Sequence, residues 1–213
     1  EVLRGGMLLA YGMHREAEAI FTRLADISLA PAVRDRAWFF LAKIRHQRGL
    51  VGDAQSALAR IGDALPAELS EDRALLAAQL LMARGEDAAA AQSLRTLASH
   101  VGSSTYLRFN LGVALVRAGD GAAGRALLDA IGTARAADDE ARTLRDKANL
   151  ALGFAALKDG RHGDARAALE RVRLAGTQSN KALLGFGWRR LWPALIVVGS
   201  VVALRQERLK LLV

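Results

Sequence analysis

Apolar positions along the chain keep fixed distances from five glycines, Gly12, Gly49, Gly85, Gly119 and Gly160, which are spaced by 37, 36, 34 and 41 residues. Seven residues before each glycine stands a small residue: Gly5, Ala42, Ala78, Gly112 and Gly153. Five after comes another, Ala17, Ala54, Ala90, Gly124 or Ala165. Nine and twelve after come large apolar residues: Phe21 and Leu24, Leu58 and Ile61, Leu94 and Leu97, Leu128 and Ile131, Leu169 and Val172. Antiparallel helices approach closely only where side chains are small, and large apolar residues at helical spacing fill the room beside the crossing. A glycine between them supplies the left-handed conformation that ends the first helix. The pattern predicts helix–turn–helix units over about 1–27, 35–64, 71–99, 105–133 and 140–174, with a sixth beginning at 179. Repetition at this period marks an array. The expected fold is all-α, an α-solenoid of stacked antiparallel helix hairpins.

Ser28-Leu29-Ala30-Pro31, Leu65-Pro66 and Gly102-Ser103-Ser104 read as turns between units. Asp138-Asp139-Glu140 and Ser70-Glu71-Asp72 stand where helices begin, and are expected to cap free N–H groups and oppose the helix dipole. Composition agrees with an all-helical chain. Apolar residues make up 52% but aromatics only 5%, so the apolar mass is mostly alanine and leucine, which favour helix. The absence of cysteine excludes disulfides and thiolate metal sites.

The units resemble the tetratricopeptide repeat (TPR). Trp38 and Leu41 in the second unit, Leu111-Gly112 in the fourth and Leu152-Gly153 in the fifth match its pattern best. The chain departs from it twelve residues after each turn glycine, where Leu, Ile or Val replaces the family's Ala, and it mostly lacks the family's late proline. These are divergent repeats, and the resemblance covers residues 1–172. It implies a right-handed superhelix whose first helices line a concave groove. The stretches GMHREAEAIF, PAVRDRAWFFLAKI, NLGVALVRAG, LRDKANLALGF and SNKALLGFGW are similar to an uncharacterised family of exported proteobacterial TPR proteins. That likeness implies a periplasmic or exported location, with a cytoplasmic one left open. No signal segment is visible in Glu1–Leu9, and a start inside a helical pattern reads as a processed or trimmed one.

After Trp188 the repeat stops, and residues 189–213 form an atypical apolar and basic segment. Two accounts fit, a lineage-specific end and an altered reading frame in the source. Leu191 to Leu204 is 14 residues without a charge between Arg189-Arg190 and Arg205, shorter than the roughly 20 residues of a spanning helix. Burial beneath the sixth unit, contact with a membrane surface and self-association all suit such a segment. A membrane-associated assembly factor tethered through it is the alternative to the main reading. Half of the net charge of +8 lies in 189–213, where five basic side chains face Glu207 alone, so the rest of the chain is not basic enough to imply a nucleic acid partner.

His14, His46, His100 and His162 have no second histidine or carboxylate at metal-ligand spacing. No nucleophile elbow, phosphate loop or dinucleotide motif is present, so no enzyme activity, cofactor or metal is expected. The surface carries the function instead. Using the small crossing residue as register, Arg36, Phe39 and Lys43 in the second unit are expected to face the groove, as are Tyr106, Phe109 and Arg117 in the fourth. Lys147, Phe154 and Lys158 follow in the fifth, and Lys181 opens the sixth. Aromatic and cationic residues so interspersed suit a protein or peptide partner with acidic groups.

Overall fold

The computed structural model describes residues 1–27, 30–101, 104–176 and 178–183, at 100 and 101 by backbone alone. The expected turn residues Ser28, Leu29, Gly102 and Ser103, the end of the sixth unit's first helix and the segment 189–213 lie outside the described residues. Every regular element among the described residues is a helix. The chain divides into two compact units, Glu1–Gly121 and Ala122–Val213.

The first unit holds α1 (Val2–Ala10), α2 (His14–Ile27), α3 (Pro31–Gln47), α4 (Val51–Leu58), a short 3-10 turn Ala67–Leu69, α5 (Ser70–Ala83), α6 (Asp87–Val101) and α7 (Thr105–Arg117). Each helix packs against the next, and the first helices of successive pairs, α1, α3, α5 and α7, also touch in order. The second unit holds α8 (Gly121–Gly132), α9 (Asp139–Lys158) and α10 (His162–Leu169), with helical backbone again at 179–183. Here α9 and α10 form the pair.

The five turn glycines are the residues that take positive φ among those described, from 71° to 96°. At four of the turns the next N–H reaches back five residues, as in Leu50 N–H to Arg45 O at 2.9 Å and Arg161 N–H to Ala156 O at 2.8 Å. This Schellman closure satisfies helix-end carbonyls and needs a residue that tolerates left-handed backbone. Close approach explains the small residues. A Cβ on Gly5 would stand 2.7 Å from Phe21 Cζ, and one on Gly153 would stand 2.5 Å from Leu169 Cγ. Ala17, Ala54, Ala90, Gly124 and Ala165, on the facing helices, are all buried.

Both helix starts carry acids in the first turn, Asp139 and Glu140 in α9 and Glu71 and Asp72 in α5, but a side-chain cap forms only in α9. Asp138 caps α9, its Oδ1 accepting from Ala141 N–H at 2.7 Å. Ser70 does not cap α5, which grows out of the 3-10 turn with Leu69 at its N-cap. Glu71 is turned elsewhere and accepts from the Ser104 hydroxyl, whose own oxygen accepts from Leu107 N–H at 3.0 Å to cap α7.

Candidate functional site

Side-chain direction on the first helices follows from helical geometry. Each residue turns the helix by about 100°, so residues ten and three before the turn glycine point within roughly 60° of the small crossing residue. Residues thirteen, six and two before it point about 100–140° away. Burial respects this division. At ten before, Leu75 and Leu150 are buried, Phe109 is half-buried, and Phe39 is only 1% exposed. The expectation that Phe39 faces a groove is therefore corrected. Its ring lies on the crossing side, edge-on to Phe40 at 5.3 Å, in a core with Phe21, Ala42, Leu76 and Leu80.

The other predicted residues remain at the surface in different states. Within the first unit, Arg36 is partly covered and pairs with Glu68 at 3.3 Å. Arg117 is held twice, by Asp87 at 2.8 Å and by the carbonyl of Met82 at 2.6 Å. Tyr106 is exposed, and its carbonyl accepts from Asn110 Nδ2. Lys43 is half-buried beside His46, whose pKa is pushed below 6.5 by desolvation. In the second unit Lys147, Phe154 and Lys158 are exposed along α9, with Phe154 41% open, and Lys181 is exposed at 181. The structure thus brings Lys147, Phe154 and Lys158 onto one helix face and commits Arg36 and Arg117 to internal contacts.

Lysine and arginine divide the work. Every ion pair among the described residues uses an arginine as its cation. Lys43, Lys147, Lys158 and Lys181 have no carboxylate within pairing distance among the described residues, and all four stand on first helices. Arginine's planar fork suits fixed pairing, whereas lysine is a mobile, hydrated point charge.

A second constellation escaped the sequence reading. Fourteen residues before three of the turn glycines stand carboxylates, Asp35, Glu71 and Asp146. Asp35 is buried and accepts from Ala64 N–H at 3.0 Å, in the loop after α4. Asp146 is buried and accepts from Arg173 Nε at 2.8 Å, in the loop after α10. Each holds the segment that leaves its own pair, as Glu71 does with Ser104. The signal was available as a further fixed distance from the glycines. Among the described residues no group of three or more histidine, aspartate or glutamate side chains could hold a metal.

No protein-family model matches the chain, and no curated protein or solved structure is significantly similar to it.

Among the described residues, one open depression of about 580 Å³ lies along α2 and another of about 520 Å³ lies between the 62–65 loop, α5 and Ser93 of α6. Neither includes a residue expected at the groove. Among the described residues no helix is long and apolar enough to cross a membrane.

Proposed function

We propose that this chain is a non-enzymatic protein–protein interaction scaffold. On this reading the helix pairs belong to a TPR-like right-handed solenoid, and the first helices offer lysines to acidic groups of a peptide or protein partner. The observation that carries the proposal is the segregation of charge. Arginine is the cation of every ion pair among the described residues, including those that tie one helix to another, while the four lysines of the described residues make none and all stand on first helices. An exposed charge without an internal partner keeps its interaction free for a ligand.

The test is binding of fluorescent acidic and neutral peptides, followed by anisotropy in low and high salt. Changing Lys43, Lys147, Lys158 and Lys181 together to Glu is expected to lower affinity for the acidic set by tenfold or more, about 1.4 kcal/mol or above. Equal binding by variant and wild type, or equal binding of both peptide sets, would remove the proposal.

A second reading, membrane tethering through 191–204, rests on the uncharged run between arginines in the sequence. Flotation with liposomes containing anionic lipid decides it: equal flotation of the chain with and without residues 189–213 rules the tether out. The exported location belongs to the same proposal, and fractionation of cells expressing the complete gene tests it.

A further inference from the structure

In the first unit three positions along the first helices face the preceding pair. Nine before the turn glycine, Phe40 stacks on Phe21 of α2 with ring centroids 4.8 Å apart. Five before, Ile44, Leu80 and Ala114 are buried. One before, Arg48 pairs with Glu18 of α2, and Arg84 donates to Gln55 of α4 at 2.8 Å. The second unit repeats that last contact with the charges exchanged, Asp159 pairing with Arg125 of α8 at 3.7 Å. The same partner position, six residues after the earlier turn glycine, serves in all three cases.

On α1 these positions are Leu3, Met7 and Tyr11, which are 79%, 55% and 80% exposed. They form one stripe at four-residue spacing on a helix whose other side is closed by Phe21 against Gly5. A large apolar stripe left open in this way marks a docking surface.

The geometry points to one occupant, the second helix of a hairpin of the same pattern, seated on α1 as α2 and α4 are seated on α3 and α5. The stripe is continuous in register with the faces that α3 and α5 turn to α2 and α4, so the matching surface is one with a large apolar residue nine after its turn glycine and a polar one six after. One helix face of three side chains falls short of the roughly 1,200 Å² that a stable interface between separate molecules buries. A free helix would therefore dock weakly, and tethering one at Glu1 raises its effective concentration enough to read the contact.

The test extends the full chain at Glu1 by a hairpin whose second helix repeats His14–Ile27. Hydroxyl-radical oxidation of Met7 and Tyr11, read by mass spectrometry, is expected to fall severalfold, with Met13 in the neighbouring turn unchanged as the internal standard. An extension with aspartate in place of the added helix's phenylalanine is expected to leave Met7 and Tyr11 as reactive as in the unextended chain. Unchanged oxidation on the matched extension overturns the proposal, as does an added hairpin that circular dichroism shows to be unfolded, since a matching face would order it. Light scattering supplies the remaining outcome: a dimer of the unextended chain with Met7 and Tyr11 already protected assigns the face to a second copy instead.

Discussion

In the α3–α4 pair the residue ahead of the second helix, Leu50, has φ −85° and ψ 69°; its counterpart Arg161 in α9–α10 has φ −86° and ψ 72°. The residues closing the two first helices, Arg48 and Asp159, agree as closely, at φ −84°, ψ 0° and φ −83°, ψ 3°. Both second helices run eight residues. The side-chain partners in the two pairs differ. Asp35 receives one backbone N–H, whereas Asp146 also receives the Arg173 guanidinium. Eleven before the turn glycine, Trp38 lies under Arg60 at 4.6 Å, while Asn149 donates to Gly132 O at 2.9 Å. The turn glycine, the small crossing residue and a buried acceptor specify the backbone; what satisfies the acceptor is free to vary.

That separation can be broken most severely at the crossing. Ala42 already carries a Cβ in α3, but in α9 Leu169 fills the space where the Cβ of an alanine at 153 would go. Gly153→Ala is expected to cost about 2 kcal/mol, the overpacking of roughly 3 less about 1 gained in helix propensity. Ala42→Gly should cost only about 1 kcal/mol, from propensity and lost packing. Urea midpoints measure both, and equal losses would show that the two crossings are packed alike.

The two buried carboxylates give the next effect. Asp146→Asn keeps an acceptor but removes the charge facing Arg173, which is itself partly exposed and can turn to water, so the expected loss is about 1–2 kcal/mol. Asp35→Asn retains an oxygen for Ala64 N–H and should cost less than about 1 kcal/mol. A smaller effect again is expected from exchanging Glu18 and Arg48, which copies the order of Arg125 and Asp159. Exposed pairs contribute roughly 0–1 kcal/mol. Here Arg45 also binds Glu18, at 3.2 Å, so the exchanged chain would set an arginine against Arg45 and fall short of wild type, more so at low salt.

Sequence spacing carried the turns and crossings because those roles admit few residue types: positive φ selects glycine, and a 2.5 Å Cβ clash excludes all but glycine at 153. The surface was read less well, since residue type stood in for direction. Phe39 was grouped with Lys43 as aromatic beside cation, although it lies about 40° nearer the crossing side of the helix. Arg36 and Arg117 look like free cations in a sequence because their partners, Glu68 and Asp87, belong to other elements. Asp35 and Asp146 were passed over for a related reason. An acid inside a helical pattern reads as a solvated side chain, and only the loop folding back shows it to be a buried clamp.

The mildest contrast between the pairs lies three residues before the turn glycine, where α3 has His46 and α9 has Leu157. Desolvation lowers the His46 pKa from 6.5, so on acidification the unfolded chain takes up a proton at a pH where the folded chain does not. The stability that depends on a neutral His46 is complete above pH 6.5 and is lost as pH falls toward the folded value. His46→Leu, which gives α3 the residue of α9, is expected to remove that part of the acid slope while leaving the slope above pH 6.5 unaltered. Urea midpoints of both proteins at intervals from pH 5 to pH 8 would show the curves parallel at the upper end and diverging below it. Curves that stay parallel throughout would mean that His46 is as well solvated folded as unfolded, and that this row of the first helix is open to water in α3.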